Sequence, residues 1–291
     1  MTLPPGRGPM PQFMPGKQPE LAKYIIAVGS GKGGVGKSTI SLNLSLALAR
    51  QGAVVGLLDA DFQGPDIPLM VGLTRMSPSR NWPLWRHPAV GEVRLEPLER
   101  FGVKIMSVGF LLAEKQHVFS WGPLLQYIGY QLLWQVNWGD PDYLIVDLPP
   151  GAADLHQHLL RFLPLSGAII VVGPQDVAHL DAKKLVEMLK EVRVRILGGV
   201  ENMSGVLCPE CGKQFDVFPR VREDRSIWSL GVPLLGRVPL HPAVAEAGDR
   251  GEPVMVSQLY TPQARAFQDL ASVVVGQLRS AGDGDAASGE P

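Results

Sequence analysis

The chain has 291 residues, of which 45% are hydrophobic and 19% charged, and its formal net charge is −1. This composition is typical of an ordinary globular protein, and it argues against nucleic acid as the main partner. The sequence contains no apolar run long enough for a membrane span, no secretory signal and only two cysteines, so we expect a cytoplasmic protein without a membrane partner or a disulfide framework.

The two ends of the chain differ in composition from the rest. Residues 1–22 are dense in proline and glycine, which predicts a disordered leader. Residues 280–291 are small and acidic, which predicts a disordered tail. Residues 23–279 are long enough for one large α/β domain.

A glycine-rich stretch near the start of this domain matches the Walker A pattern. The apolar, β-branched segment Tyr24–Val28 predicts a buried strand before it, and Ile40–Arg50 has the apolar spacing of a helix after it. A strand, a glycine-rich turn and a helix form the context that a phosphate-binding loop requires. The predicted nucleotide-binding residues of this P-loop are Gly31, Lys32, Gly33, Gly34, Val35, Gly36, Lys37, Ser38 and Thr39.

The residue types of this loop predict particular roles. Backbone N–H groups and the helix N-terminus are expected to bind phosphate, while Lys37 reaches the β- and γ-phosphates and the Ser38 hydroxyl binds Mg²⁺. Lys32 adds a second cation, which we interpret as neutralising charge on a transferring phosphoryl group, in its own chain or a partner. The alternative is a solvated loop lysine.

Carboxylates follow two further predicted strands. Ala53–Leu58 leads to Asp59 and Asp61, and Asp142–Asp147 has the Walker B pattern, so that Asp147 is expected to hold Mg²⁺ opposite Ser38. We expect Asp59 and Asp61 to point to alternate sides and to have different tasks. Asp59 is predicted to hold Mg²⁺ or its water shell, and Asp61 to orient the attacking water. The alternative is a pair of turn-forming residues.

The later segments alternate between buried strands and amphipathic helices. Asn202 follows one such strand, where its amide is suited to a base edge, and the absence of a guanine-reading Asn-Lys-x-Asp sequence favours ATP. The pattern predicts a doubly wound, mostly parallel α/β sheet. The predicted strands are 103–108, 168–172, 195–200 and 233–239, the predicted helices are 123–136, 182–192 and 261–278, and the Trp-rich stretch 74–98 is irregular.

Cys208 and Cys211 form a Cys-x-x-Cys turn and are the only cysteines in the chain. A redox dithiol would require a thioredoxin-like helix start, and a zinc site within one chain would require two more ligands. Two chains that each contribute one pair would supply four thiolates on a two-fold axis. Four thiolates fit either Zn²⁺ or an iron–sulfur cluster, so the ligands alone leave both open.

Seven stretches between about Lys23 and Phe267 together resemble the Mrp/ApbC family of iron–sulfur cluster carrier ATPases. The loop itself resembles the deviant Walker A class of the MinD/ParA-like superfamily, which implies that Lys32 acts across a nucleotide sandwich dimer. The family resemblance implies a homodimer that binds ATP and Mg²⁺, with Pro239 near the nucleotide. It also implies a 4Fe–4S cluster between paired Cys208 and Cys211, passed to apoproteins. The stretches are GSGKGGVGKST, DADFQGPDIP, GVKIMSVGF, DYLIVDLPPG, VENMSGVLCPECGK, LLGRVPLHP and GDRGEPV.

The chain departs from this family at one catalytic segment. Gly151-Ala152-Ala153-Asp154 stands where the family usually has Gly-Thr-Gly-Asp, so slow ATP hydrolysis is expected. Two rival functions are a zinc-bridged regulatory scaffold and a MinD/ParA-like positioning ATPase. The second requires a basic or apolar-basic C-terminal segment, and this tail is acidic.

Overall fold

A nine-stranded sheet forms the centre of the protein. The computed structural model describes residues 21–62, 64–73, 84–86, 93–110, 135–151, 160, 163–208, 211 and 213–286. Within these ranges the strands are β1 Tyr24–Ser30, β2 Val55–Asp59, β3 Leu84–Arg86, β4 Val93–Leu95, β5 Leu98–Arg100, β6 Val103–Ser107, β7 Tyr143–Asp147, β8 Gly167–Val172, β9 Ile196–Leu207, β10 Gln214–Phe215 and β11 Leu234–Leu240.

The helices of the described part cover the sheet and connect its strands. They are α1 Lys37–Arg50, α2 Ile67–Met70, α3 Asp176–Glu191, α4 Pro242–Asp249, α5 Val254–Ser257 and α6 Pro262–Ala286. Short 3₁₀ turns lie at Val108–Phe110, Glu223–Arg225 and Trp228–Leu230.

The sheet has the order β10-β9-β8-β1-β7-β2-β6-β5, and β11 also pairs with β9. All its pairs are parallel except β5 with β6 and β10 with β9. Strands β1, β2, β7 and β8 are buried along nearly their whole length, which explains their continuous apolar sequences. The predicted doubly wound, mostly parallel sheet is confirmed.

Two apolar layers enclose the sheet. On one face α1 and α6 pack against it, with Leu42 and Phe267 fully buried in the same cluster. On the other face α3 contributes Leu185 and Leu189 to a second cluster. Helices on both faces leave the strand ends accessible, which is where ligands bind in open α/β sheets.

Several boundaries differ from the sequence predictions. Helix α3 begins six residues before the predicted start at Ala182, because its first turns place small Ala178 and polar His179 in the core. Strand β9 continues past the predicted end at Val200 to Leu207, because β11 and β10 pair with its polar second half. Helix α6 extends to Ala286, beyond the predicted end at 278. The predicted helix 123–136 and most of the stretch 74–98 lie outside the described residues.

Candidate functional site

Strand register brings the candidate acids to one edge of the sheet. Asp59 at the end of β2 is level with Asp147 at the end of β7 and with Ser107 at the end of β6. Asp147 is in turn level with Val28 of β1, three residues before the P-loop. The Walker A and Walker B segments therefore meet directly, as the sequence predicts.

The P-loop backbone makes two close contacts with other elements, and both require glycine. A Cβ on Gly31 would collide with the α3 backbone at Asp181 and Ala182. A Cβ on Gly36, which has a φ of 83°, would collide with the side-chain amide of Asn202. Backbone without a side chain is also what allows a loop to surround a phosphate group.

Asp147 is the acceptor at the centre of a buried polar network. Its Oδ2 accepts hydrogen bonds from Lys37 Nζ and from Ser38 Oγ, each at 2.7 Å. Its Oδ1 lies 2.6 Å from Ser41 Oγ, which donates from the next turn of α1. Lys37, Ser41 and Asp147 are all buried. The predicted partners Lys37, Ser38 and Asp147 are thus in direct contact.

Asp59 and Asp61 lie beside this network. Asp59 is fully buried, and its two oxygens accept from Ser107 Oγ at 2.9 Å and from the Asp61 backbone N–H at 3.2 Å. Asp61 Oδ2 lies 3.9 Å from Lys37 Nζ. Burial, with a smaller repulsion from Asp147, raises the pKa of Asp59 well above its usual value. Burial also raises the pKa of Asp61, against the opposing attraction of Lys37.

The prediction that Asp59 and Asp61 point to alternate sides stays a prediction. Both carboxylates are close enough to Lys37 and Asp147 to be affected by their charges. Strand β2 ends at Asp59, so Asp61 lies outside the regular alternation of strand side chains. Asp147 lies 2.7 Å and Asp61 3.9 Å from the Lys37 ammonium group, so carboxylates outnumber cations here, an excess of negative charge that a divalent cation is suited to balance.

The outer part of the P-loop is accessible. Gly33 and Gly34 are exposed, while Lys32 and Thr39 are half-buried. The turn after the Walker B strand joins the loop, because the Gly151 N–H donates to the Ser30 carbonyl at 2.9 Å. Ala152, Ala153 and Asp154 lie outside the described residues.

Asn202 and Pro239 lie on the neighbouring strands β9 and β11, and Asn202 contacts the loop. Asn202 is buried on β9, and its Nδ2 donates to the Val35 carbonyl at 2.8 Å. The predicted nucleotide residue therefore contacts the P-loop backbone in this structure. Pro239 on β11 lines a cavity of about 370 Å³ between β11 and α6, together with Arg237, Arg265 and Asp269.

The Cys-x-x-Cys turn lies between β9 and β10. Cys208 directly follows β9 and is half-buried, its N–H donating to the Lys213 carbonyl at 3.0 Å, while Cys211 is exposed. Both cysteines of the chain are described, and neither forms a disulfide. Among the described residues, no group of three or more His, Cys, Asp or Glu side chains comes together as a metal site. No helix in the described ranges is long and apolar enough to cross a membrane.

Three residues of this region were not predicted from the sequence. Ser41 follows Lys37 by one helical turn, so both lie on the same face of α1. This helical spacing is the sequence signal that could have placed Ser41 beside Asp147. Ser107 was identifiable only from its register with Asp59. Met203, next to Asn202, has a φ of 60°, which no sequence pattern indicates.

Comparisons with known proteins show which family this chain belongs to. A family model described as NUBPL iron-transfer P-loop NTPase, of the ParA group, matches residues 21–275. The iron-sulfur cluster carrier protein of Synechocystis is 45% identical over 261 residues, which are 89% of this chain and 72% of that protein.

Solved structures share the same fold. A nucleotide-binding protein from Archaeoglobus fulgidus, in complex with ADP, has a TM-score of 0.68 and 32% identity, over 85% of this chain and 92% of that chain. The cell division ATPase MinD of Pyrococcus furiosus has a TM-score of 0.63 and 22% identity, over 87% and 99% of the two chains. At this identity the second likeness concerns the fold alone.

Proposed function

Because this chain belongs to the NUBPL iron-transfer family of P-loop NTPases, we propose that it binds and hydrolyses ATP and carries an iron–sulfur cluster to other proteins. The observation that carries the proposal is the exposed Cys-x-x-Cys turn at the end of β9, in a chain whose P-loop and Walker B acid are in contact. The carrier name of the Synechocystis relative supports the same cargo.

The buried network fits a nucleotide with Mg²⁺. Ser38 and Asp147 would hold the ion, with Asp59 in its outer shell, and the ion would supply charge neutralisation at the phosphates. Lys37 would exchange its contact with Asp147 for the β- and γ-phosphates, and Asp61 would orient the attacking water. Lys32 would stabilise the charge that develops on the transferred phosphoryl group. Pro239 is the proposed contact on the base side, and Asn202 is proposed to position the P-loop backbone through the bond from its Nδ2 to the Val35 carbonyl.

The cluster site requires a second chain. Each chain contributes only Cys208 and Cys211, whereas a 4Fe–4S cluster takes four thiolates. A two-fold homodimer supplies them when both turns meet at its axis. The clients are apoproteins that take over the cluster, and a thiol-reducing compartment such as the cytoplasm would keep these cysteines available.

Anaerobic reconstitution with iron and sulfide tests this proposal. We expect about two iron atoms per chain, since four irons are shared by two chains. Cys208→Ala and Cys211→Ala should each abolish the cluster absorbance and weaken the dimer. Compared with the cluster-free wild type, their nucleotide affinity should be unchanged, because the turn lies outside the phosphate site. Transfer is then measured as activation of an apo client protein.

Three results would contradict it. Stoichiometric zinc without iron after reconstitution would favour the zinc-bridged scaffold. A full cluster on a strictly monomeric protein would refute the shared site. Nucleotide-dependent sedimentation with liposomes or DNA would favour a positioning ATPase.

A further inference from the structure

One strand connects the nucleotide loop with the cysteine pair. Asn202 in β9 donates its side-chain N–H to the carbonyl of Val35 in the P-loop. The same strand continues to Leu207 and is followed directly by Cys208. Only five residues therefore separate a P-loop contact from the first thiol.

The contact between β9 and the P-loop is tight. Asn202 is 7% exposed, and its hydrogen bond to Val35 is buried. Gly36 approaches β9 so closely that a Cβ on this residue would collide with the Asn202 amide. The terminal methyl of Met203 would lie 3.9 Å from that Cβ. Because close-packed groups transmit displacement, the peptide between Val35 and Gly36 cannot reorient without moving Asn202.

The backbone between Asn202 and the thiols is irregular. Met203 has a φ of 60° and Gly205 a φ of 85°, so both lie in the left-handed region. The ladder to β11 pairs Asn202 with Val238 and next Val206 with Leu240, so three residues of β9 oppose one of β11. We call residues 203–205 the β9 bulge. Bulges and left-handed non-glycine residues are concentrated at functional sites, where the backbone holds local strain.

We propose that Asn202 is a positioning residue that couples nucleotide binding in the P-loop to the geometry of Cys208 and Cys211 through the β9 bulge. This inference rests on the proposed function for the nucleotide and thiol sites. Phosphate bound by the P-loop N–H groups fixes the peptide between Val35 and Gly36. The Asn202 amide transmits that orientation to β9, and the bulge is the segment that changes shape. By linkage, a ligand on the thiols changes nucleotide affinity by the same factor.

A second route from the P-loop to this region runs through α3. Gly31 contacts the α3 backbone, and the carboxylate of Asp176 in α3 accepts from the Arg222 N–H at 3.1 Å and from the Arg225 guanidinium at 2.9 Å. These last contacts are exposed, and exposed ion pairs contribute little energy. The route also reaches the cysteines only through the chain beyond β10. The buried route through Asn202 is therefore the one we assign.

Thiol reactivity tests this coupling without any iron. Because Cys208 and Cys211 are the only cysteines, a chromogenic disulfide reagent added to reduced, metal-free protein reports on this pair alone. We expect saturating Mg²⁺-ADP to change the reaction rate of the wild type about fivefold or more, a typical size for coupling between sites. In Asn202→Ala, with nucleotide binding verified by calorimetry, the rate should be the same with and without nucleotide.

Glu201→Ala is the matched control. Its side chain contacts Arg237 on β11 at 3.3 Å and not the P-loop, so this variant alters the neighbouring position of the same strand and should keep the full response. Asp176→Ala tests the route through α3 and should also keep it. Light scattering at the assay concentrations verifies that all variants have the oligomeric state of the wild type.

The results for these variants distinguish the route through Asn202 from the route through α3. The proposal is overturned if nucleotide does not change the thiol reaction rate of the wild type, or if it changes the rate of Asn202→Ala as much as that of the wild type. If only Asp176→Ala loses the effect of nucleotide, the coupling runs through α3. If Asn202→Ala no longer binds nucleotide, Met203→Gly is used instead, since it keeps the amide but frees the left-handed backbone. Nucleotide should change the thiol reaction rate of this variant less than that of the wild type. An effect of wild-type size would refute the role of the β9 bulge in the coupling. Failed cluster reconstitution contradicts the carrier function and leaves this result intact.

Discussion

At the scale of single residues, Ser41 has the clearest assignable effect. Lys37 and Ser38 share one oxygen of Asp147, and Ser41 alone holds the other in the described network. A carboxylate with one oxygen fixed by a donor keeps its second oxygen oriented, here toward the proposed Mg²⁺ position. Ser41 is therefore expected to support the proposed metal site without contacting the ion.

Replacing Ser41 should weaken the Mg²⁺-dependent part of nucleotide binding. Ser41→Ala removes one hydrogen bond to a charged group, a loss of about 1.5 kcal/mol or roughly tenfold in affinity. The measurement is nucleotide affinity over a series of Mg²⁺ concentrations. Ser45→Ala is the control, because Ser45 is equally buried in α1 but donates only to the Ser41 carbonyl. Equal Mg²⁺ dependence of nucleotide affinity in both variants would show that Ser41 does not support Mg²⁺ binding.

The burial of His179 predicts how the free energy of unfolding changes with pH. It is fully buried, its Nδ1 accepts from the Ile227 N–H at 3.2 Å, and desolvation lowers its pKa from 6.5 to about 4. Between these values the unfolded chain binds a proton that the folded chain does not. The free energy of unfolding should therefore fall as the pH drops below about 6.5, by up to about 3 kcal/mol at pH 4.

Urea unfolding at pH 7 and pH 5 measures this dependence. His179→Phe keeps an aromatic ring against Trp228, whose ring centre lies 5.7 Å away, but has no titrating group. Its stability should change less between the two pH values than that of the wild type. The comparison is a difference between variants, so the buried acids Asp59 and Asp61 contribute equally to both. Parallel pH profiles would show that burial does not lower the pKa of His179.

At the scale of elements, the packing of the P-loop on α3 depends on the absence of a side chain at Gly31. A Cβ there would meet the backbone of Asp181 and Ala182, which cannot move aside as a flexible side chain does. We expect Gly31→Ala to lower the free energy of unfolding by about 1–3 kcal/mol. Nucleotide-free urea unfolding is the measurement. Gly33→Ala is the control, since its nearest neighbour is Pro150 at 4.0 Å, and equal midpoints would contradict the close packing.

The predictability of each element follows from how much of its signal is local. Strands β1, β2, β7 and β8 were predicted because buried parallel strands are continuous apolar runs. The second half of β9 is polar and is held by its neighbours β10 and β11, so its sequence did not indicate a strand. The two- and three-residue strands β10 and β5 are too short for a periodic pattern.

The candidate site shows the same division between local and long-range information. Lys37, Ser38 and Asp147 were predicted to meet because the two Walker motifs imply a fixed arrangement of loop and strand. Ser107 owes its contact with Asp59 to the pairing of β6 with β2, and no local pattern encodes that register. The relative orientation of Asp59 and Asp61 depends on where β2 ends, and strand ends are the least predictable feature of a sequence.

At the scale of the whole molecule, two of the proposed activities require a second chain. The thiol pair supplies half of a four-thiolate site, and Lys32 lies in the accessible part of the P-loop, half-buried, where a partner's phosphates can approach it. Asp61, in contrast, lies 3.9 Å from Lys37 of its own chain, so we expect it to act on the nucleotide of its own chain. This difference between the two residues makes the assignment of Lys32 testable by mixing chains.

Mixing Lys32→Ala with Asp61→Asn should restore ATP hydrolysis if Lys32 acts across the dimer. Each variant alone is expected to bind nucleotide and to be inactive. In the mixed dimer, the site on the Lys32→Ala chain has its own Asp61 and receives Lys32 from the partner, so one of two sites works. Random pairing makes half of the dimers mixed, which predicts about a quarter of the wild-type rate per chain. If Lys32 acts within its own chain, both sites of the mixed dimer lack a group and the mixture stays inactive. Phosphate release at equal total protein is the measurement, and each variant mixed with itself is the control.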